Sequence, residues 1–223
     1  MQASLTSLDE SLRIAAKTAG RVVLVDAADA PSSGASGDSN AILRRLLETG
    51  YNRRALIPIV APEAVKAAAA AGIGQSIRTT VGGALDRTRF QPVEIEACVT
   101  MLSDGHFRSE SHREVWESGE TAVLQAGLIT LIVISRAVNL YDRSLFLAHG
   151  QDPAQFDLVV VKSPHCQHHF FAEGAERLVN VDAPGSSSAN LRGLGHTLCA
   201  RPIFPLDGEV PFIPKAKLFD LCN

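Results

Sequence analysis

Nothing in the chain approaches a bilayer span. Among its 223 residues the longest apolar stretch, Ala122 to Val138, is broken by Gln125, Gly127, Ser135 and Arg136. A membrane helix needs roughly 18–20 uninterrupted apolar residues. The start of the chain lacks the basic-then-apolar pattern of a secretory leader. Cysteine is scarce and scattered. Cys98, Cys166, Cys199 and Cys222 form no C-x-x-C pair and no dense disulfide framework, so reduced thiols in a cytoplasm are expected. A basic surplus is absent too: the net charge of −3 offers no cationic face to a phosphate backbone and argues against nucleic acid. There is no internal repeat.

Familiar catalytic signatures are missing as well. The small-residue loop that begins at Asp26 is not followed by G-K-[ST] and does not have G-x-G-x-x-G spacing, so nucleotide binding has little support. No G-x-S-x-G nucleophile elbow appears, no H-E-x-x-H helix, and no pair of acids stands out for general acid–base work.

What is present is the composition of a globular protein, 46% apolar and 20% charged, long enough to bury a core in one domain or two closely packed lobes. Ser4 to Ala19 reads as an amphipathic helix, with Leu5, Leu8, Leu12, Ala15 and Ala16 on one stripe. At the front of the chain it reads as a connecting helix, residues 1–19. Arg21 to Asp26 is a β-branched run typical of a buried strand. A helix over Asp38 to Thr49 follows, capped by Asp38 or Ser39 and ended by Gly50. Ala55 to Val60 is a second strand. Pro62 to Ala71 is an Ala-rich helix between an N-terminal Pro and Gly72. This alternation predicts a parallel, helix-covered start.

Farther on, Ser76 to Val81, Val93 to Leu102, Thr121 to Gln125 and Leu128 to Ser135 read as strands with Gly-containing turns, which suits antiparallel pairing. Gln91 to Arg108 reads as one long bent strand or a hairpin arm. Asp157 to Lys162 is another strand, followed by a helix near Phe170 to Arg177 and a strand at Leu178 to Asp182. The expected fold class is therefore α/β, a mixed sheet with helices on its faces, a parallel βαβ start and antiparallel middle strands. Its domain is placed at 20–207, with an extended tail over 208–223.

Four segments can carry chemistry. The loop Asp26 to Ser39 is small and polar. Its backbone N–H groups and the following helix N-terminus favour an anion; equally, Asp29 and Asp38 can simply hold backbone amides in a capped turn. K-S-P-H-C-Q-H-H-F, Lys162 to Phe170, follows a strand, where ligands of open α/β sheets collect. It offers His165, Cys166, His168 and His169 to a metal, although they are crowded for one ion and can instead start a helix. In S-R-A-V-N-L-Y-D, Ser135 to Asp142, Arg136 can clamp a carboxylate or make an ordinary ion pair. In S-D-G-H-F, Ser103 to Phe107, Asp-Gly reads as a hairpin turn, which speaks against a catalytic His106.

Seven segments, in order, resemble the C-terminal domain of the MlrC-like (microcystinase C-like) metallopeptidases. They are V-L-V-D-A-A-D-A-P-S-S-G-A-S-G-D-S at Val23 to Ser39, I-V-A-P-E-A-V at Ile59 to Val65, V-G-G at Val81 to Gly83, S-R-A-V-N-L-Y-D at Ser135 to Asp142, V-V-V-K-S-P-H-C-Q at Val159 to Gln167, V-D-A-P-G at Val181 to Gly185, and R-P-I-F-P-L-D at Arg201 to Asp207. The chain departs from the family at Ser32 and Ser33, where the loop commonly has more glycine. It also has Pro164 to Gln167 where a His-aromatic-Arg pattern is common, so no arginine contact carries over there.

The resemblance implies a zinc-dependent hydrolase of peptide or other amide bonds whose N-terminal domain holds the metal. This chain would complete the substrate cleft, bind no zinc by itself and be inactive alone. On that reading His165 and Lys162 are the catalytic candidates. Asp29, Gly34, Asp38, Arg136 and Ser163 are the substrate-binding ones, with Lys162 and Arg136 holding anionic groups. The expected partners are the N-terminal metallopeptidase domain, in the same or a separate chain, and a small peptide or amide substrate; neither nucleic acid nor membrane is expected, and self-association stays open. Two other readings stand beside it: a stand-alone small-anion binding module, and a small metal hydrolase using His165, Cys166 and His169.

Overall fold

The structure is a computed structural model that describes residues 4–164, 168–208, 210–211 and 213–217, with His168 and His169 described by their backbone alone. The chain divides into Met1–Ala189 and Asn190–Asn223. The first part opens with β1 (Thr6–Ser7), α1 (Leu8–Lys17), β2 (Arg21–Val25), α2 (Ala41–Thr49), β3 (Ala55–Val60) and α3 (Pro62–Ala71). It continues through β4 (Ser76–Val81), β5 (Val93–Ser103), β6 (His106–Arg108), β7 (Val115–Glu117), β8 (Thr121–Ala126) and β9 (Ile129–Ile134). It ends with α4 (Ser144–Ala148), β10 (Leu158–Val161), α5 (His168–Ala172) and β11 (Ala175–Asp182).

Nine strands form one sheet in the order β1-β11-β2-β10-β3-β9-β8-β5-β4. From β1 to β9 every neighbour is parallel, and β9, β8, β5 and β4 pair antiparallel. This is the mixed α/β architecture expected from the sequence. The buried strands alternate between two cores, as a period of two requires. Val22, Leu24, Ile57, Ile59, Leu131 and Val160 meet Leu12 and Ala15 of α1, Leu43 and Leu46 of α2, and Val65 of α3. Val23, Val25, Leu56, Ile132, Val159 and Val161 meet Leu145 and Phe146 of α4 and Phe171 of α5. Helices thus cover both faces, which is why these strands read as continuous apolar runs. No described helix is long and apolar enough to cross a membrane.

Several boundaries moved. The first helix starts at Leu8 rather than Ser4, because Thr6 and Ser7 pair with Val181 and Asp182 on β11. The second starts at Ala41, with Asn40 at its N-cap. Neither Asp38 nor Ser39 begins it, because both are tied into the preceding loop. The helix expected near Phe170 to Arg177 stops at Ala172. Gly174, at φ +69, turns the chain, and Ala175 to Arg177 already belong to a strand bulged against β2. Gln91 to Arg108 is not one strand. β5 ends at Ser103, Asp104 and Gly105 turn the chain, and β6 pairs with β7 as a separate two-stranded ribbon. Helix α4 and strand β7 had no counterpart in the sequence reading.

The second part, 190–223, has a 3-10 helix at Leu191–Leu194. Its loop 201–207 is closed by the Arg201–Asp207 ion pair and by Ile203 N donating to Asp207 Oδ2 at 2.6 Å. Those donors hold the Asp207 carboxyl down at about 2.

Candidate functional site at the carboxyl edge of the sheet

Parallel pairing puts the carboxyl ends of β2, β10, β3 and β9 along one edge, so the loops that follow them emerge together. The loop after β2 contains Asp29 in a 3-10 turn over Ala27–Asp29. The Asp29 side chain is 1% exposed. Its Oδ1 accepts from Gly37 N at 3.0 Å and its Oδ2 from Ser39 N at 2.7 Å. One carboxylate thereby pulls the far arm of the loop back against the near arm.

Lys162, the first residue after β10, completes that closure. Its ammonium donates to Asp29 Oδ2 at 2.7 Å, Ser39 O at 2.6 Å and Gly37 O at 3.1 Å. A lysine has three N–H donors, and all three are engaged here inside the protein. Ser163 beside it is wholly buried.

Asp38 faces the other way. Its Oδ2 accepts from Leu85 N at 2.7 Å and Asp86 N at 3.3 Å, and Ser36 Oγ donates to its Oδ1. Asn40 adds two bonds from Nδ2, to Val81 O at 3.1 Å and Gln91 O at 2.8 Å. Together they bind the loop to the β4–β5 connection. Gly82 makes the approach possible. Its φ is +62, and a Cβ there would lie 2.4 Å from Asp38 O and 2.9 Å from Asn40 Cβ, so only glycine fits without a shift.

Of the residues singled out from the sequence, Asp29 and Lys162 are in direct contact, and Asp38 joins them through Gly37 and Ser39. Gly34 lies apart on the exposed outer turn, at φ +90 with open space around it. Arg136 is exposed, and its Nη1 is paired with Glu117 Oε1 of β7 at 2.8 Å rather than with the Asp29–Lys162 group. His165 and Cys166 lie outside the described residues, as does the His169 side chain.

Two participants had no clear signal in the sequence. Asp26 is 1% exposed at the end of β2. Burial pushes its carboxyl up to about 6, the Lys162 charge draws it down, and Asp29 raises it again. Ser187, in a Ser-rich stretch, places its Oγ 2.9 Å from Ala27 O and 3.0 Å from Ala28 O and accepts from Ala30 N at 3.1 Å. It fastens the far end of the domain to the first turn of the loop.

A metal does not fit this arrangement. No group of three or more His, Cys, Asp or Glu side chains converges among the described residues. A lysine ammonium occupies the position between Asp29 and the Gly37 and Ser39 carbonyls where a cation would sit. What the site supplies is a fixed backbone surface at the carboxyl edge, braced from beneath by buried charge.

Comparison with known proteins places the chain in a family. The family model described as MlrC C-terminus matches residues 24–197. Microcystinase C of Sphingomonas sp. is 28% identical over 192 residues, which is 86% of this chain and 37% of that protein. The crystal structure of a candidate metallopeptidase from Mesorhizobium sp. BNC1 superposes with a TM-score of 0.80 at 30% identity, over 95% of this chain and 42% of that one. The chain therefore spans less than half the length of both.

Proposed function

Because the chain belongs to the family of MlrC C-terminal domains, we propose that it forms one wall of the substrate cleft of a peptidase or amide hydrolase whose zinc is held by a separate N-terminal domain. Both long relatives carry more than half their length outside the region matched here, which leaves room for such a domain. The observation that carries the reading is the braced loop at the carboxyl edge. Asp29, Asp38 and Lys162 are consumed in fixing its backbone, an arrangement suited to positioning a ligand brought by another domain and unsuited to holding a metal. Lys162 then acts as a brace under the wall, while Gly34 and Arg136 stand at its solvent side.

Metal content of the purified chain, measured by elemental analysis with His165→Ala alongside, is the direct test. The proposal expects a small fraction of a zinc ion per chain in both forms and no amide hydrolysis by the chain alone. About one zinc ion per chain, lost in the variant, would overturn it in favour of a self-contained site on His165, Cys166 and His169.

A further inference from the structure

The β6–β7 ribbon leaves the sheet at the carboxyl edge, where Ser103 of β5 is level with Thr121 of β8 and Ile134 of β9. Its turn, 109–114, is fastened to the segment after β9 by Asp142, which is 3% exposed. Asp142 Oδ2 accepts from Ser111 Oγ at 2.6 Å, Ser109 Oγ at 2.7 Å and Ser111 N at 3.0 Å, and Oδ1 accepts from Ser144 N at 2.9 Å. Burial pushes this carboxyl up, but the serine donors together outweigh it and hold it at about 2. It is therefore ionised at neutral pH and can only accept.

Counting protons then fixes the neighbour. The single hydroxyl protons of Ser109 and Ser111 both go to Asp142. Ser111 Oγ also lies 2.8 Å from His112 Nδ1. With its proton committed, Ser111 can only accept there, so the neutral His112 ring carries its hydrogen on Nδ1 and presents Nε2 as the lone-pair nitrogen on an exposed ring. Among the described residues no hydrogen bond reaches Nε2.

Two aromatic rings also pack against the imidazole, both tilted to its plane. It lies 5.2 Å from Trp116 and 5.2 Å from Tyr141, which meet each other edge-on at 5.8 Å. The next residue, Arg113, has φ +62 and is the one non-glycine among the described residues with positive φ. Such strain persists where the surroundings over-determine it and collects at ligand-holding positions.

We propose that His112 is a posed acceptor of the cleft: its Nε2 takes a hydrogen bond from the N–H of a peptide-like amide whose apolar body lies against Trp116 and Tyr141. This rests on the reading that the carboxyl edge lines the cleft. Asp142 and Ser111 are positioning residues, acting on the ligand only through the imidazole. The arrangement matches the way a second group fixes the tautomer of a working histidine.

The test uses the purified chain labelled with ¹⁵N-histidine at mildly alkaline pH, with N-acetyl-L-phenylalanine amide as the probe. His112 should show an unprotonated Nε2 and a protonated Nδ1, and Ser111→Ala should erase that bias. Adding the probe should move the Nε2 resonance and, in parallel, the emission of Trp116, the chain's single tryptophan. His112→Phe keeps a stacking ring but no lone pair, and should weaken the probe about tenfold, the loss of one hydrogen bond. An Nε2–H tautomer in the parent chain, or equal binding by His112→Phe, overturns the inference. A probe that, in a second, uniformly ¹⁵N-labelled sample, shifts the amides of residues 37–39 and leaves His112 untouched overturns it while sparing the cleft reading. A probe that shifts nothing in the chain removes both.

Discussion

Replacing Lys162 by Met keeps much of the length and the apolar stem of the side chain and removes the charge that three acceptors share. In the parent, those acceptors lie at 2.6, 2.7 and 3.1 Å. The lysine side chain is 3% exposed and that of Asp29 1%, so the solvent screening that reduces surface ion pairs to little does not apply. Breaking a buried pair from one side costs about 3–5 kcal/mol, because the other charge stays buried without a partner. Asp29 retains the amides of Gly37 and Ser39, which relieves part of that. We expect a loss of about 3 kcal/mol, at the lower end of the range for one-sided breakage.

In a chain of this size each kcal/mol moves Tm by roughly 2–4 °C, so the melting temperature should fall by about 6–12 °C. Urea titration should show a lower midpoint at an unchanged slope. The double change Lys162→Met with Asp29→Asn should lie closer to the parent than the single change, because it removes the orphaned charge and leaves an acceptor for a loop amide. A single-variant loss below about 1 kcal/mol would refute the reasoning. It would mean that the ammonium is not spent on the loop.

Asp26 should give the opposite sign. Its folded-state carboxyl lies near 6, above the ordinary 3.8. A carboxyl raised in the folded state favours folding below its unfolded value and loses that contribution as pH rises through the folded one. Asp26→Asn should therefore match the parent near pH 4 and exceed its stability by about 2 kcal/mol at about pH 8. Urea titrations at the two pH values decide it, and an equal gain at both would show that the charge is not the cause. Gly82→Ala should cost about 2–4 kcal/mol in thermal melts, from the Asp38 O contact at 2.4 Å together with φ +62. Gly34→Ala meets nothing within 4 Å, so it should lose only about 1 kcal/mol, the backbone cost of an alanine at positive φ. Equal losses at the two glycines would mean that the close approach under Gly82 is not present.

The sheet was legible because local rules and tertiary context agree there. Ala55–Val60, Pro62–Ala71 and Ser76–Val81 came out with the expected ends, each bounded by Pro, Gly or a change of period. Disagreement appears where a distant residue decides. Asp38 and Ser39 have the chemistry of a helix cap, yet Leu85 and Asp86 claim the Asp38 carboxylate, and the Ser39 hydroxyl reaches only the first helical amide, Ala41 N, at 3.4 Å. No local signal shows that competition. The Asp29–Lys162 pair spans 133 residues of sequence, and its geometry follows from β2 and β10 being hydrogen-bonded neighbours. The order of strands in a parallel sheet is not written in their individual patterns. Likewise α4 is five residues long, too short for periodicity to register.

The contrast between conspicuous and useful residues has a physical basis. A buried charge is tolerated only when every donor and acceptor around it is matched. The acids and the lysine that stand out in the loop sequence are therefore the ones the fold must use up. On the proposed reading, ligand contacts fall instead to groups left with spare valence at the surface: backbone positions of the exposed turn around Gly34, and an imidazole nitrogen whose proton is assigned elsewhere. Such a wall is stiff, since moving Gly37 or Ser39 would unpair Asp29 and Lys162 together. Stiffness of that kind lowers the entropy lost on binding. It also means that a substitution which loosens the brace should weaken ligand binding even where it touches no ligand atom.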